Sequence, residues 1–172
     1  MPALVAGDYT EAMQPKARVT IRRTTLEDVA TVDDIRRDAI LGIDSAEFDV
    51  DDLRRWADDR PAGYFADRIA AGDVVIAFLD AAAVAWGSST GDYVSGVYIR
   101  AAASRRGVGR AIMSALEAEI RRRGHESAFL DASPNAVGFY LVLGYTQVGP
   151  VKENNSIPMK RALGTSSPPE VI

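Results

Sequence analysis

The sequence predicts a single α+β domain whose sheet is mixed and mostly antiparallel, flanked by about four helices. Its 172 residues suffice for one domain with a substantial core. Apolar residues make up 47% and charged residues 26% of the chain, which is typical of globular proteins. Strand-like and helix-like patterns follow in the order β-α-α-β-β-β-α-β-α-β-β. We expect the domain at 18–163, between flexible tails at 1–17, without periodicity, and 164–172, rich in Ser and Pro.

The N-terminal part begins with one strand and continues with two helical regions. Residues 18–23, RVTIRR, alternate as in a short strand. Thr25 is the expected N-cap of the first helix, because apolar residues follow it at helical spacing: Val29, Val32, Ile35 and Ile40. A second helical region runs through 49–59, and Pro61 interrupts it. It resumes over 62–72, where a glycine ends it.

The middle of the chain predicts a meander followed by a long helix. Three β-like runs at 73–80, 81–89 and 92–100 are joined by short turns, as in antiparallel strands. A helix then runs from Val108 to about Arg123, with an apolar stripe of Val108, Ile112, Ala115, Leu116 and Ile120. Its Glu117 and Glu119 precede Arg121 and Arg123 by four residues, a spacing that predicts ion pairs on the helix surface.

The C-terminal part predicts one buried strand, a short helix and a closing pair of strands. The apolar segment SAFLDA at 127–132 is the strand, and NAVGFYLVLG at 135–144 is the helix. Residues 145–151 and 156–163 form the closing pair.

The long helix begins at a loop, SRRGVGRAIM at 104–113, that predicts an anion site. Glycines allow close approach of the backbone, and the first turn of a helix leaves N–H groups without partners. The helix dipole and three nearby arginines favour a phosphate. A nucleotide P-loop does not fit, because Gly109 precedes Arg110 and Ala111 instead of Lys and Ser/Thr. A dinucleotide fingerprint does not fit, because Ile112 replaces its third glycine.

Charge and composition exclude several classes of protein. The net charge is −4 and no aromatic residues interleave with the basic run, which disfavours nucleic acid as a partner. The longest apolar runs have six residues, too few to span a membrane. The chain has no cysteine and one histidine, so we expect no metal site, and without a secretory leader we expect a cytoplasmic protein. Residues 1–90 carry a net negative charge and residues 91–172 a small net positive charge. This division suits a protein that binds an anionic ligand in one part and a cationic ligand in the other, or it is an ordinary random distribution of charge.

Two motifs in the right order resemble the GNAT superfamily of N-acetyltransferases. The first is Arg106-Gly107-Val108-Gly109-Arg110-Ala111, which matches the family's Q/R-x-x-G-x-G/A loop, with Ser104 at the first position of the more usual register. The second is Ser133-x-x-Ala136-x-x-Phe139-Tyr140, in which Ser133 replaces the customary Asn. The resemblance covers about residues 19–162, and the segment 52–72 resembles a bacterial YafP-like subgroup.

The resemblance implies the GNAT fold and acetyl-CoA, or CoA, as co-substrate. In the family, backbone N–H groups of the loop hold the pyrophosphate, here those of about Arg106 to Ala111, with Arg105, Arg106 and Arg110 available for charged contacts. The pantetheine arm lies along the preceding strand, here Val97, Tyr98 and Ile99. That strand separates from 127–132, and Gly96 suits the bulge or close backbone approach that this needs. Ser133 contacts the cofactor or caps the short helix.

The resemblance also implies a direct transfer of the acetyl group to a primary amine of a small molecule or peptide. Tyr140 matches the family's general acid, and the N–H of Ile99 or Tyr98 is the expected donor to the oxyanion. Asp92, His125 or an ordered water removes the proton from the amine, and the absence of cysteine argues against an acetyl-enzyme. We expect aromatic side chains around the acceptor, from Trp56, Tyr64, Trp86 and Tyr93.

Two other functions compete with the enzyme. One is a GNAT-fold module that binds acyl-CoA without turnover, as a sensor or scaffold, and it is kept open by Ser104, by Ser133 and by the lack of a carboxylate within the strand before the glycine loop. The other is a regulator that binds a nucleotide at the glycine loop. A homodimer is an assembly common to such folds.

Overall fold

The protein forms three layers, in which a seven-stranded sheet lies between two layers of helices. A computed structural model describes residues 18–44 and 46–164. The tails predicted at 1–17 and 164–172 lie outside these residues, apart from Gly164.

The sheet is mixed and mostly antiparallel, as the sequence predicts. Its strand order is β1-β2-β3-β4-β5-β7-β6, and β4 and β5 form its parallel pair. Strands β2, β3 and β4 form the expected antiparallel meander. The strands are β1 Val19–Arg23, β2 Val74–Leu79, β3 Ala82–Thr90, β4 Tyr93–Ile99, β5 Ser127–Ala132, β6 Thr146–Gln147 and β7 Ile157–Ala162.

Five α-helices cover the two faces of the sheet in the described part of the chain. They are α1 Val29–Leu41, α2 Val50–Asp58, α3 Ala66–Ala70, α4 Val108–Arg122 and α5 Val137–Val142. Helices α1 and α3 pack on one face around Trp86, and α2 packs against α1. Helices α4 and α5 pack on the other face. The helical region expected at 62–72, after Pro61, is helical only over the five residues of α3.

The start of α1 is stabilised by the Asp28 carboxylate, which accepts hydrogen bonds from Thr25 and Arg22. Thr25 lies at the N-cap of a single 3-10 turn that precedes α1, and its backbone N–H donates to Asp28 Oδ2 at 2.8 Å. Arg22 of β1 donates two hydrogen bonds to the same carboxylate, at 2.7 and 2.8 Å. The bonds from Arg22, aided by the Thr25 N–H, outweigh the effect of burial and lower the pKa of Asp28 to about 2. This contact ties α1 to the edge strand.

Helix α4 lies unusually close to the sheet because β3 carries a glycine beneath it. A Cβ at Gly87 would lie 2.6 Å from Ile112 Cγ2 and 3.0 Å from Leu116 Cδ1. A larger residue at Gly87 would therefore push α4 away from β3. Because α4 begins at the glycine loop, this close packing also sets the position of the loop.

Glu117 of α4 is buried, which contradicts the surface ion pair with Arg121 that its spacing predicts. It is 4% exposed and accepts hydrogen bonds from the Tyr145 hydroxyl at 3.0 Å and from Arg161 of β7 at 2.8 Å. Arg121 instead donates to the carbonyl oxygen of Leu163. Glu119 does form the predicted pair with Arg123, at 3.3 Å. Glu117 therefore joins α4 to the C-terminal part of the fold.

We expect Glu117→Ala to lower the free energy of unfolding by about 1–3 kcal/mol, because the buried Tyr145 hydroxyl loses its acceptor. The control is Glu126→Ala, which removes an exposed carboxylate and should change stability by less than about 0.5 kcal/mol. Denaturant unfolding of both variants measures the difference. Equal stabilities would show that the Glu117 contacts contribute nothing net.

Candidate active site

A cleft opens where the parallel pair β4–β5 separates. The two strands pair only at Tyr93 with Phe129 and at Val94 with Leu130, whereas β5 pairs with β7 along its whole length. On the other side of β4, the ladder with β3 skips Ser95, which has no partner. The bulge expected at Gly96 therefore falls on the preceding residue. Beyond it, one edge of β4 has no neighbouring strand in the part of the chain that the structure describes.

The cleft brings together seven residues predicted for the site, namely Trp56, Tyr93, Val97, Tyr98, Ile99, Ser133 and Tyr140. Two adjoining cavities, of about 280 and 200 Å³, share Trp56, Val97, Tyr98, Ser133, Ala136 and Tyr140. Ile99 and Ser104 line the first cavity, and Tyr93 and Ser95 line the second. The cleft thus runs along β4 from Ser95 to Ile99, with Tyr140 at the junction of its two parts.

The backbone of β4 presents polar groups to the cleft. The Arg100 N–H donates to the carbonyl oxygen of Val84 on β3 at 2.8 Å. Because backbone groups alternate in direction along a strand, the N–H of Tyr98 also points to β3. The N–H groups of Val97 and Ile99 point the opposite way, into the cleft. Of the two expected oxyanion donors, only Ile99 has this orientation.

The glycine loop lies at one end of the cleft and presents free N–H groups. Gly107 precedes α4 with a left-handed φ of 81°, a conformation that favours glycine. The backbone N–H groups of 105–110 donate to no described residue. The Ala111 N–H, predicted among them, donates to the Gly107 carbonyl oxygen at 3.1 Å and is not free.

Gly109 connects the loop to the cleft. A Cβ at Gly109 would lie 2.9 Å from Ile99 Cδ1 and 3.0 Å from Phe139 Cζ, and both of these side chains line the cleft. A side chain at this position would therefore displace the ends of Ile99 and Phe139 where the start of α4 meets β4 and α5.

The loop carries the positive charge that an anion requires. Arg105 and Arg110 are exposed and form no ion pair with any described residue, and Arg106 lies 3.9 Å from Asp80. The N-terminus of the 15-residue α4 adds the positive end of its dipole. Six free N–H groups, unpaired arginines and a helix N-terminus together are the features that suit an anion.

Tyr140 is buried with its hydroxyl unpartnered. It is 8% exposed, and its ring packs against Phe139 and Tyr145. The hydroxyl makes no hydrogen bond with any residue that the structure describes. Burial, and then the proximity of Tyr98, raises the pKa of Tyr140 well above its usual range. The phenol is protonated at neutral pH, as an ordinary tyrosine is, and burial makes it hold its proton more tightly.

The other end of the cleft contains a carboxylate that the sequence analysis missed. Asp131 Oδ2 accepts hydrogen bonds from the Tyr93 hydroxyl at 2.7 Å and from Lys152 Nζ at 2.5 Å. Burial opposes ionisation, but the bonds from Lys152 and Tyr93 outweigh it and lower the pKa of Asp131. Burial and the bond to Asp131 raise the pKa of Tyr93. The available signal was an acidic residue in an apolar strand, two positions before Ser133.

Other expected site residues lie away from the cleft. Asp92 precedes the point of strand separation, and its carbonyl oxygen accepts from the Phe129 N–H. His125 lies in the turn after α4. Trp86 is 1% exposed in the core, and Tyr64 is 46% exposed beneath the guanidinium of Arg60. Of the four aromatic residues expected around the acceptor, Trp56 and Tyr93 line the cleft.

Ser133 lines the cleft and also precedes a single turn of helix that begins at Pro134. It has the extended conformation of an N-cap residue, but its side chain makes no capping hydrogen bond. Ser133 therefore occupies the position of a helix cap, one of the two roles expected for it, but does not form the capping hydrogen bond. The hydroxyl remains available to a ligand in the cleft.

Comparison with known families assigns the chain. Residues 48–161 match the sequence profile of the acetyltransferase (GNAT) domain. The chain belongs to this family, as its two motifs predicted. No curated protein matches the sequence significantly, and the assignment to a YafP-like subgroup stays a prediction.

Solved structures share the fold. A GCN5-related N-acetyltransferase from Rhodopseudomonas palustris, described as a class-II aminotransferase, has 25% identity and a TM-score of 0.72, covering 84% of this chain and 95% of that one. The PaiA N-acetyltransferase from Thermoplasma acidophilum, in complex with coenzyme A, has 16% identity and a TM-score of 0.66, covering 84% and 99%. YncA, a putative acetyltransferase from Salmonella typhimurium with acetyl-CoA, has 22% identity and a TM-score of 0.58, covering 90% and 99%.

Two features are absent from the described residues. Among 18–44 and 46–164, no three His, Cys, Asp or Glu side chains are grouped so that they could hold a metal ion. None of the described helices combines the length and the apolar character that crossing a membrane requires.

We expect Tyr140 to stay protonated when ordinary tyrosines ionise, at about pH 10, because of its burial. Ultraviolet titration of the six tyrosines measures this. Tyr140→Phe should leave the tyrosinate signal of the folded protein at about pH 10 unchanged. In denaturant, the same substitution should remove one tyrosine's share of the signal. A loss of amplitude in the folded protein would contradict the raised pKa of Tyr140.

Proposed function

We propose that the protein is an acetyl-CoA-dependent N-acetyltransferase that moves the acetyl group directly to a primary amine. The observation that carries this is the separation of β4 from β5, which leaves a cleft continuous with the anion site at the start of α4. An elongated ligand with an anionic group at one end fits such a cleft. Membership of the acetyltransferase family and the bound coenzyme A or acetyl-CoA of two structural neighbours support the choice of ligand.

The residues present fit acetyl-CoA at three places. The free N–H groups of 105–110, with Arg105 and Arg110, suit its pyrophosphate. The backbone of Val97 and Ile99 suits the amide groups of pantetheine, which would extend the sheet as a short strand does. The cavity walls formed by Ile40, Ile43 and Phe139 suit its apolar portions.

The side chains of the cleft match the steps that acetyl transfer requires. Acetyl-CoA supplies an activated acyl group whose leaving atom is sulfur. The Tyr140 hydroxyl carries a proton at neutral pH, as any tyrosine does, and its position at the junction of the two cavities places that proton near the departing sulfur. The Ile99 N–H is positioned to stabilise negative charge on the acyl oxygen. The wall that Trp56 contributes helps to exclude bulk water from this point.

The proton of the amine needs an acceptor other than the one expected at Asp92. Asp92 lies in the turn before β4 and His125 beyond α4, so neither reaches the part of the cleft that contains Tyr140. An ordered water is the remaining candidate of those considered from the sequence. Its negatively charged neighbour in the cleft is Asp131.

We expect Gly109→Val to weaken acetyl-CoA binding by at least about tenfold, because the added side chain collides with Ile99 and Phe139 where the loop meets the cleft. Calorimetric titration measures the change. The matched control is Gly138→Val in α5, an exposed glycine with open space around its Cβ position, which should bind normally. Equal binding by both variants would remove the loop from the site, and tight binding of ATP instead would favour a nucleotide-binding regulator.

We expect Tyr140→Phe to lower kcat by about 10²-fold with little change in KM for acetyl-CoA, because it removes the proton donor and keeps the ring. Release of free CoA thiol in the presence of an amine measures the rate. Tyr64→Phe makes the same chemical change outside the cleft and should leave kcat unchanged. An unchanged kcat in Tyr140→Phe would withdraw the general acid. Binding of acetyl-CoA by the wild-type protein with no turnover of any amine would support the sensor or scaffold.

A further inference from the structure

A third cavity, here called the side cavity, opens from the cleft at the end away from the glycine loop. It measures about 360 Å³, and Phe48 and Trp56 form one wall while Asp131 and Ser133 contribute to the other. Trp56, Asp131 and Ser133 also line the part of the cleft that contains Tyr140. A group in the side cavity is therefore adjacent to the point at which transfer is proposed. Its volume is that of a pocket for a small molecule.

Asp131 enters this cavity with half of its carboxylate unused. Tyr93 and Lys152 both donate to the same oxygen, Oδ2, at 2.7 and 2.5 Å. Oδ1 accepts no hydrogen bond from any residue that the structure describes, and the side chain is 25% exposed. An ionised carboxylate can accept about four hydrogen bonds through its two oxygens. Asp131 is therefore fixed in orientation by one oxygen and open to a donor at the other.

The opposite wall is aromatic and is held from behind. The rings of Phe48 and Trp56 lie 5.8 Å apart between centroids. Both pack against the small core of Ile40, Leu53 and Ala57. The buried guanidinium of Arg36 donates to the Trp56 carbonyl oxygen at 2.8 Å, which fixes the position of Trp56. Aromatic rings attract cations and also pack against apolar groups.

We infer that Asp131 Oδ1 binds the ammonium group of the acceptor and that the acceptor is a small primary amine whose apolar stem packs against Trp56 and Phe48. This inference rests on the proposed function, because it assigns the second substrate of that reaction. A cation finds both a free carboxylate oxygen and aromatic rings in the side cavity. An additional carboxylate on the amine would be repelled by Asp131, because the nearby cation, Lys152, is already paired with Asp131.

Substitutions at Lys152 and Asp131 distinguish a carboxylate that binds the amine from an ion pair that only supports the fold. The ammonium group of Lys152 neutralises part of the charge on Asp131, and Lys152 lies on the loop before β7, half exposed. Replacing Lys152 breaks the ion pair but leaves a carboxylate with more charge for an incoming cation. Replacing Asp131 breaks the same ion pair and removes the carboxylate charge. The two substitutions should therefore change amine affinity in opposite directions.

The experiment is a titration of the CoA-saturated protein with phenethylamine, followed by tryptophan fluorescence. The chain has two tryptophans, and Trp86 is buried in the core, so Trp56 reports on the side cavity. We expect Asp131→Asn to raise the Kd for phenethylamine by about tenfold or more, and Lys152→Met to lower it severalfold. Phenylalanine, which has the same skeleton with a carboxylate added, should bind the wild-type protein more weakly than phenethylamine.

Several results would overturn the inference. The wild-type protein could give no saturable fluorescence signal, or bind phenylalanine more tightly than phenethylamine. The Kd for phenethylamine could be unchanged in Asp131→Asn. Both variants could also bind phenethylamine equally more weakly, which is what an ion pair with a purely structural role predicts. Calorimetry with CoA on the same samples separates this inference from the proposed function. If CoA binds normally but the Kd for the amine is the same in the wild-type protein and in Asp131→Asn, only this inference is contradicted. If the wild-type protein binds no CoA, the proposed function is contradicted.

Discussion

The separation of β4 from β5 after Val94 is the constraint on which the site depends. Backbone groups of a strand need partners, and an edge without a neighbouring strand is open to ligands. Here β5 pairs fully with β7, while β4 stays paired with β3 and bulges at Ser95. The N–H groups of Val97 and Ile99 are thereby left facing the cleft. An extended ligand supplies what the missing strand would have supplied.

Close packing around this edge places the remaining parts of the site. Gly87 lets α4 lie against β3, and Gly109 lets the start of α4 meet Ile99 and Phe139. The free N–H groups of the loop are therefore held at one end of the β4 edge. Helix α5 brings Tyr140 to the middle of the cleft, where burial raises the pKa of its hydroxyl. The positive loop, Tyr140 and Asp131 thus follow one another along the cleft.

Features that depend on local patterns could be predicted from the sequence, and those that depend on distant contacts could not. The meander, the long helix and the glycine loop are carried by periodicity and by short motifs. The burial of Glu117 depends on Arg161, 44 residues away, so its helical spacing alone indicated a surface residue. The role of Asp131 at the cleft likewise appears only once Tyr93 and Lys152 are brought to it. The division into an acidic and a basic half does not point to Asp131 either, because this residue belongs to the basic half.

Amide hydrogen exchange of β4, with and without acetyl-CoA, tests the central claim most directly, because it reports on the backbone edge itself. If the ligand occupies the place of the missing strand, the amides of Val97 and Ile99 and those of the loop at 105–110 become protected when acetyl-CoA binds. The Tyr98 amide, which points to β3, should already exchange slowly in the free protein. Saturating acetyl-CoA with no added protection at Val97 and Ile99 would contradict the account, because the ligand would then bind without using the edge that the separation of β4 and β5 exposes.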